Sequence, residues 1–243
     1  MENLNKAKEL FRDIVDLNNY IPLTTSEKTK QDLLNAINQK EKLILLTGEA
    51  GSGKSLLLRS VYNDLKDTKK VFFVANPYLE IDSILELLKN LDLRSHQILL
   101  LDESQLLTSE TWENLRIYAD RGNVTIVFAT HDTDIKKLLE KKHFSTRINY
   151  IIPVKPVSLE EMEKFILSKL LKHNFNSIAD MLSKKNFKKI YAYTKGSLRA
   201  TNQLMYKLLD VVDYFYKKDP KRFDKGKIDN KYIEIAIMDL KAK

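Results

Sequence analysis

The chain has 243 residues, of which 43% are hydrophobic and 30% are charged, as in a soluble globular protein with one large or two modest domains. It contains no Cys, which excludes a disulfide framework and a Cys-ligated metal site. Its first ten residues lack the apolar stretch of a signal peptide, and apolar runs such as Ile98 to Leu101 are far shorter than the ~20 residues that span a bilayer. We therefore expect a cytoplasmic protein that does not itself span a membrane.

The formal net charge of +8 is concentrated in the last third of the chain. Residues 151–243 contain 20 Lys or Arg and 11 Asp or Glu, whereas residues 1–150 contain 21 and 22. Such an asymmetry is typical of a surface for nucleic acid or another acidic partner, and it also arises from solvated helix faces without a ligand. The charge balance alone leaves both interpretations open.

Hydrophobic periodicity predicts two helices near the N-terminus and then alternating strands and helices. The predicted helices cover residues 4–17, 26–39, 54–66, 81–89, 109–119 and 134–142. The predicted strands cover residues 42–47, 71–75, 97–101, 124–129 and 150–154. Continuous apolar strands separated by helices indicate a parallel sheet covered on both faces, which binds ligands at the carboxyl ends of its strands. Pro153 predicts an edge position for the fifth strand.

The strand signals stop after Pro156, and the rest of the chain has a helical pattern. Ser158 to Glu161 reads S-x-x-E, the pattern of a capping box at a helix start. We therefore predict three parts: an N-terminal helical segment over 1–40, an α/β core over 41–156 and a helical domain over 157–243.

The first predicted strand is followed by the sequence GEAGSGKS, which fits the phosphate-binding pattern G-x-x-x-x-G-K-[S/T] at every fixed position. Glycines let successive backbone N–H groups turn toward phosphate oxygens, and the following helix adds positive potential. Lys54 then reaches the β- and γ-phosphates, and the hydroxyl of Ser55 binds Mg²⁺. The predicted nucleotide-binding residues are Gly48, Glu49, Ala50, Gly51, Ser52, Gly53, Lys54, Ser55 and Leu56.

Two carboxylates emerge at the carboxyl end of the third predicted strand. Asp102 is predicted to hold Mg²⁺ together with Ser55, and Glu103 to orient and deprotonate an attacking water. Acids at a strand end are a weak signal alone. One predicted strand separates this pair from the strand before the glycine-rich loop, an arrangement typical of P-loop proteins with a catalytic glutamate. The sequence thus predicts that the cofactors are ATP and Mg²⁺.

Three further polar residues have two interpretations each. Thr130 ends the fourth predicted strand, where its side chain can touch the γ-phosphate or the attacking water, or make a local backbone bond. Arg147 and Arg199 can each bring positive charge to the γ-phosphate, and each can also be a solvated surface charge. Spacing alone favours the surface interpretation for both arginines.

Several segments together resemble AAA+ ATPases, and within them the branch of the secretion ATPase ExeA (GspA) and the transposition ATPase TniB. The resemblance covers roughly residues 15–210. Besides the glycine-rich loop, the segments that resemble the family are VANPYLEIDSIL at 74–85, ILLLDESQLL at 98–107, STRI at 145–148 and YTKGSLRATN at 193–202. The chain departs from the branch at Thr130, where the family often has Gln, and at Leu198, where it has Pro.

The resemblance implies an α/β P-loop NTPase of the AAA+ class, with a five-stranded parallel sheet of order 5-1-4-3-2 and a C-terminal helical lid. It assigns Thr130 to sensor 1, Arg199 to sensor 2 and Arg147 to an arginine finger acting on a neighbouring subunit. It therefore implies a homo-oligomer with the site at a subunit boundary. It also implies that Ile21, just before the core, contacts the adenine base.

Three functions are compatible with this sequence. The first is an ATPase that drives a cell-envelope machine for secretion, pilus assembly or DNA uptake, with recruitment to the inner membrane and a membrane or envelope partner. The second is an ATPase associated with nucleic acid in transposition or replication, which the basic helical region favours. The third is a nucleotide-gated scaffold with negligible turnover, against which Glu103 argues.

Overall fold

The computed structural model of the protein describes residues 4–12, 20–77, 83, 84, 86, 95–133, 148, 150–223 and 226–242. The chain forms two compact units, a helical unit of Met1–Thr24 with Pro156–Lys243 and an α/β unit of Thr25–Lys155. The N-terminal segment predicted over residues 1–40 is thus divided between the two units near residue 24.

The α/β unit alternates strands and helices over most of its described length. Its strands are β1 (Leu43–Thr47), β2 (Lys70–Val74), β3 (Gln97–Leu101), β4 (Val124–Thr130) and β5 (Tyr150–Pro153). Its helices, numbered in chain order after α1 (Leu4–Glu9) of the other unit, are α2 (Thr24–Asn38), α3 (Lys54–Leu65) and α4 (Ser109–Asp120), with a 3₁₀ turn at Ser104–Leu106.

All five strands pair in parallel in the order β2-β3-β4-β1-β5. This is the predicted order 5-1-4-3-2 read from the other edge, so the predicted topology is confirmed. Pro153 ends β5 at the edge of the sheet, as its missing N–H donor led us to expect. The order places β1 between β4 and β5, and β3 between β2 and β4.

The sheet is covered on both faces because side chains alternate along each strand. On one face, the core contains Leu45, Leu99 and Phe128 together with Trp112 of α4. On the other face, residues such as Ile44 and Leu100 of the strands pack with residues of α2 and α3. Every residue of β1, β3 and β4 is buried, which explains why these strands are continuous apolar runs in the sequence.

Three predicted helices cannot be compared over their full length. Of the helix predicted over 81–89, only Ser83, Ile84 and Glu86 are described, and the helix predicted over 134–142 lies outside the described residues. The first predicted helix was expected to continue to residue 17, but α1 ends at Glu9, and residues 13–19 lie outside the described part.

The helical unit packs its helices around one apolar core. Its further helices are α5 (Leu159–Lys172), α6 (Asn176–Asp180), α7 (Lys184–Thr194), α8 (Leu198–Lys218) and α9 (Asn230–Lys241), with a 3₁₀ turn at Pro220–Phe223. The predicted capping box begins α5, where Ser158 Oγ accepts from the Glu161 N–H at 3.2 Å and Glu161 Oε2 accepts from the Ser158 N–H at 3.1 Å. Of the helices that the structure describes, none combines the length and apolar character needed to cross a membrane.

Helix α1 joins the helical unit through contacts that are remote in sequence. Its buried residues Leu4 and Ala7 belong to the same core as residues of α8. Lys8 Nζ lies 2.7 Å from Asp210 Oδ1 of α8, and their hydrogen bond lowers the pKa of Asp210. Lys169 of α5 also donates to the Leu10 carbonyl at 3.0 Å, so charged side chains help to fix the N-terminal residues on the helices.

The turn between α7 and α8 is specified by Gly196. Its φ is +82°, and a Cβ there would lie 2.3 Å from the Val157 carbonyl oxygen, while the Val157 N–H donates to the Gly196 carbonyl at 3.1 Å. Gly196→Ala is therefore expected to reduce the free energy of unfolding by about 2–4 kcal/mol, combining left-handed strain with a backbone clash. Urea unfolding followed by circular dichroism would measure this loss.

The matched control is Gly226→Ala in the same unit. Gly226 also has a positive φ, +60°, but a Cβ there meets no described atom within 4 Å. Gly226→Ala should therefore lower the free energy of unfolding only by the backbone strain, about 1–2 kcal/mol. Equal losses in the two variants would contradict the proposed clash at Val157.

Candidate functional site

The carboxyl ends of three adjacent strands meet at one edge of the sheet. Strand β1 continues into the glycine-rich loop 48–53, β3 continues into Asp102 and Glu103, and β4 ends at Thr130, which pairs with Thr47 of β1. This is the edge where parallel sheets bind ligands. The structure therefore brings the predicted loop and the predicted acid pair together within the α/β unit.

The loop 48–53 turns sharply because its glycines take conformations that other residues avoid. Gly51 and Gly53 have φ values of +79° and +101°, in the left-handed region. A Cβ on Gly48 would lie 2.8 Å from both Ser52 Oγ and the Val154 carbonyl oxygen, so this glycine allows the loop to pass close to the end of β5. Helix α3 begins directly afterwards at Lys54, and the N–H groups of its first turn have no acceptor within the helix.

The ammonium group of Lys54 lies inside this loop. Only 8% of the residue is exposed, and Nζ donates to the carbonyls of Gly48 at 2.8 Å and Glu49 at 3.0 Å. Nζ also lies 3.3 Å from Nδ1 of His131. Burial of a charge is unfavourable unless hydrogen bonds replace its hydration, and these contacts serve that purpose.

The loop residues fit a bound phosphate group. Ser52 Oγ is buried and has no hydrogen-bond partner among the described residues. A buried hydroxyl without a partner is costly in a folded protein, and a phosphate oxygen would satisfy it. Together with the Lys54 ammonium and the N–H groups at the start of α3, Ser52 completes a set of donors suited to an anion.

Asp102 is a buried carboxyl group that contacts the start of α3. It is 5% exposed, and its Oδ1 accepts from the Glu103 N–H at 3.0 Å. Burial raises the pKa of Asp102, while the hydrogen bonds of Ser55 and Glu103 and the charge of Lys54 oppose that rise. A buried carboxylate with the hydroxyl of Ser55 nearby forms an oxygen pair suited to Mg²⁺.

Glu103 adopts a backbone conformation that is unusual for its residue type, with φ +47° and ψ +40°. Its Oε2 accepts a hydrogen bond from Gln105 Nε2 and lies 3.7 Å from His131 Nε2. The Glu103 side chain is 39% exposed, so solvent reaches this carboxylate, in contrast to that of Asp102. Strained conformations of this kind cluster at functional sites.

The turn that carries Asp102 and Glu103 is supported by hydrogen bonds and by aromatic packing of helix α4. Ser104 Oγ donates to the Leu101 carbonyl at 3.0 Å, and the Ser104 carbonyl accepts from Trp112 Nε1 at 3.2 Å. The Trp112 ring is stacked on Phe128 of β4 with the ring centroids 3.9 Å apart. Helix α4 thus connects the acid turn to the neighbouring strand and limits its movement.

The remaining predicted site residues fall into two groups. Within the α/β unit, Thr130 is buried at the end of β4, Glu49 and Ala50 are exposed in the loop, and Leu56 is half-buried in the first turn of α3. Their expected contacts with nucleotide remain predictions.

Two other predicted residues belong to the helical unit, and a third lies outside the described residues. Arg199 lies exposed in the first turn of α8, and Ile21 is buried in the core of the helical unit. Arg147 lies outside the described residues. The roles of sensor 2, adenine contact and arginine finger therefore stay predictions.

His131 is a site residue to which the sequence assigned no role. It follows the last residue of β4 and contacts both Lys54 and Glu103. Neither its spacing nor its residue type distinguishes it from an ordinary loop histidine. The one available signal was its place next to Thr130, at the end of a strand whose neighbours carry the loop and the acid pair.

The buried Asp102 carboxylate predicts a cost in stability. An acid whose pKa is raised on folding binds its proton more tightly in the folded state, so its ionisation at neutral pH opposes folding. The isosteric Asp102→Asn change keeps hydrogen-bonding groups near Ser55 and Glu103, and it should raise the free energy of unfolding by about 0.5–2 kcal/mol without Mg²⁺ and nucleotide. The gain should disappear as the pH falls below the raised pKa.

The test is thermal unfolding of both proteins across a range of pH. Glu103→Gln is the control, because it removes the adjacent carboxylate, which is partly solvated, and should change stability little. A destabilised Asp102→Asn protein at neutral pH would contradict this electrostatic interpretation.

Solved structures support an AAA+ P-loop fold for this chain. Domain III of the Thermotoga maritima replication initiation protein DnaA is 18% identical, with a TM-score of 0.60 and coverage of 93% of this chain and 96% of that one. The Aeropyrum pernix Orc1 protein in complex with DNA is 15% identical, with a TM-score of 0.64 and coverage of 96% and 69%. The Thermotoga maritima RuvB Holliday junction branch migration motor is 17% identical, with a TM-score of 0.59 and coverage of 94% and 72%.

Sequence comparison gives the family. No curated protein matches the chain significantly. The family model described as novel STAND NTPase 5 matches residues 10–143, which include the glycine-rich loop, the acid pair and the end of β4. That match covers more than half of the 243 residues, so the chain belongs to the novel STAND NTPase 5 family.

Proposed function

We propose that the protein binds ATP with Mg²⁺ and hydrolyses it at the carboxyl ends of β1, β3 and β4. The observation that carries this proposal is the arrangement of Lys54, Ser55 and Asp102. A buried ammonium lies inside a loop with two left-handed glycines, and the Ser55 hydroxyl at the start of α3 opposes the rise in the pKa of the buried Asp102 carboxyl. Membership in an NTPase family supports the same activity.

Different residues would bind the phosphates and the metal ion. Lys54 and the N–H groups of the loop would bind the β- and γ-phosphates, and Ser55 and Asp102 would hold Mg²⁺. No group of three His, Cys, Asp or Glu side chains with metal-site geometry is found in the described part of the chain. The metal would therefore depend on phosphate oxygens for its other ligands, as Mg²⁺ in nucleotide sites does. When bound, Mg²⁺ neutralises charge that develops on the phosphates.

Glu103 is the proposed general base. Its carboxylate is partly exposed beside the loop, where it can accept a proton from a water molecule that attacks the γ-phosphate. Thr130, at the end of the adjacent strand, is the proposed sensor 1 residue. We further propose that Ile21 contacts the base and Arg199 acts as sensor 2, and that Arg147 acts on a neighbouring subunit of a homo-oligomer.

Two substitutions separate binding from hydrolysis. Lys54→Ala removes the buried ammonium and should weaken ATP binding at least about 100-fold, because a charge-assisted contact to phosphate is lost. Glu103→Gln keeps the loop and should bind Mg-ATP with near-normal affinity while kcat falls at least about 100-fold. Calorimetric titration with ATP and a phosphate-release assay would measure the two effects.

Lys66→Ala is a suitable control for the lysine substitution, because Lys66 is exposed just after the end of α3. It should leave affinity and turnover unchanged. Unchanged ATP affinity in Lys54→Ala, or wild-type turnover in Glu103→Gln, would refute the assigned roles.

For the biological process, a specific observation favours nucleic acid over an envelope machine. Lys184, Lys188, Tyr191 and Lys195 follow each other at helical spacing along one face of α7 and its C-terminal end. The three lysines are exposed, and none of them forms an ion pair with an acidic side chain of the described residues. The Tyr191 ring packs against the core of the helical unit, so the row offers exposed cations to a phosphate backbone rather than a ring for stacked bases.

The names of the structural neighbours agree with this choice. They include a replication initiation protein, a Holliday junction branch migration motor and an Orc1 protein in complex with DNA. At this level of identity they support only the fold. The exposed lysine row of α7 is thus the basis on which we propose association with DNA. The envelope role, the ExeA–TniB branch and identity with the transformation protein CtsP remain narrower predictions without further support.

Charge reversal tests the DNA proposal. The double variant Lys184→Glu with Lys188→Glu should bind a short labelled DNA duplex at least about tenfold more weakly at low salt. The slope of log affinity against log salt concentration should also fall by about 2, since each lysine releases about one counterion. Fluorescence anisotropy at several salt concentrations would measure both quantities.

The control is Lys218→Glu with Lys241→Glu, which makes the same change in net charge at exposed positions at the ends of α8 and α9 in the same unit. A row-specific site predicts near-normal binding in this control. Equal weakening in both variants would indicate a general charge effect, and absence of DNA binding at low salt would contradict the proposal. Fractionation of the wild-type protein with cell membranes would then favour the envelope role.

A further inference from the structure

His131 connects the phosphate-binding lysine to the proposed general base. Its Nδ1 lies 3.3 Å from Lys54 Nζ, and its Nε2 lies 3.7 Å from Glu103 Oε2. The imidazole ring therefore stands between the two charged groups, with one nitrogen facing each of them. All three residues belong to the α/β unit.

The contact with Lys54 determines which ring nitrogen carries the proton. An ammonium group has three donors and no acceptor, so Nδ1 must accept if the two atoms are hydrogen-bonded. The neutral imidazole then carries its proton on Nε2, the nitrogen that faces the Glu103 carboxylate. The lysine thus orients an N–H dipole toward the general base.

Each of the three N–H donors of the Lys54 ammonium has an acceptor available in this arrangement. Its ammonium carries three N–H groups, and the described residues place three acceptors at hydrogen-bond distance: the Gly48 carbonyl, the Glu49 carbonyl and His131 Nδ1. Phosphate oxygens that bind Lys54 must therefore displace some of these partners. The His131 contact is the longest of the three, and a neutral ring nitrogen competes poorly with an anionic oxygen for a cationic donor.

We propose that His131 is a positioning residue that transmits the state of the Lys54 ammonium to the Glu103 carboxylate. The inference rests on the proposed function, because it requires that Lys54 bind phosphate. Without nucleotide, Lys54 holds Nδ1, and Nε2–H faces Glu103, whose Oε2 also accepts from Gln105. Phosphate binding draws Lys54 away from Nδ1, and the ring, no longer held by the lysine, stays beside Glu103 and orients its carboxylate toward the attacking water.

Removal of the His131 side chain should affect the nucleotide-free and the nucleotide-bound states of the site differently. Loss of the His131 contact removes a bond that exists only in the nucleotide-free site, so the affinity for ATP should rise. The same loss leaves Glu103 without its oriented neighbour, so turnover should fall. A residue with a merely structural role would weaken binding, turnover and stability together.

The test compares His131→Leu with His131→Gln in the full chain. Leu fills similar space but neither accepts nor donates, whereas the Gln amide has an acceptor and a donor that can face Lys54 and Glu103. For His131→Leu, we expect a non-hydrolysable ATP analogue with Mg²⁺ to bind about two- to tenfold more tightly. We expect kcat to fall about 10- to 100-fold, and His131→Gln to restore most of it.

A second measurement does not depend on turnover. In ¹⁵N-labelled, nucleotide-free protein, the imidazole correlations of His131, identified by their absence in His131→Gln, should show the Nε2–H tautomer. Addition of the ATP analogue with Mg²⁺ should shift the Nδ1 resonance as Lys54 leaves it. The opposite tautomer in the free protein, or an Nδ1 signal unaffected by the bound analogue, would overturn the proposal.

Failure of this inference can be distinguished from failure of the proposed function. Wild-type protein that binds and hydrolyses ATP, with a His131→Leu variant of equal affinity and kcat, refutes the role of His131 alone. Wild-type protein that binds the analogue without hydrolysing ATP refutes the hydrolytic function, and the tautomer and affinity measurements still decide whether His131 senses Lys54. Parallel losses in binding, turnover and melting temperature for His131→Leu, without recovery in His131→Gln, would reduce His131 to a packing residue.

Discussion

The buried ammonium of Lys54 is the charge around which the candidate site is organised. Only 8% of this residue is exposed, so its hydration must be replaced by protein groups. Two carbonyls of the loop 48–53 provide that replacement, and they can do so because Gly51 and Gly53 adopt left-handed conformations that bend the loop around Nζ. The glycines of the sequence thus allow the loop to enclose the Lys54 ammonium and to keep this cation at low solvent exposure, at the position where an anion would bind.

The parallel sheet supplies the second requirement, which is a fixed distance between cation and acids. Strands β1, β3 and β4 are buried throughout and pair in a continuous register, so their carboxyl ends cannot shift independently. Asp102 is desolvated at this edge, and burial raises its pKa although Ser55, Glu103 and Lys54 favour the charged form. Such a carboxylate opposes folding at neutral pH and is suited to a bound cation, a conflict between stability and function that is common at active sites.

The sequence was sufficient to predict the features that depend on local pattern. Apolar runs gave the five strands to within about two residues, and Pro153 gave the edge position. It was insufficient where distant residues meet. The placement of α1 depends on contacts such as Lys8 with Asp210, about two hundred residues apart, and no periodicity encodes them. The role of His131 depends on the register of β4 against β1 and on a side-chain rotamer, and neither can be read from residue spacing.

The same distinction explains why a nucleotide site can also be a sensor. The glycine-rich loop is specified by sequence, whereas the partners of Lys54 are interchangeable, because carbonyl oxygens, a ring nitrogen and phosphate oxygens all accept from one ammonium group. When the central donor exchanges a weaker acceptor, such as a ring nitrogen, for a stronger one, such as a phosphate oxygen, a group linked to the displaced acceptor responds to the exchange. In this protein, the group linked to His131 is the carboxylate of Glu103. Glu103 lies on a strained turn that the packing of Trp112 on Phe128 supports.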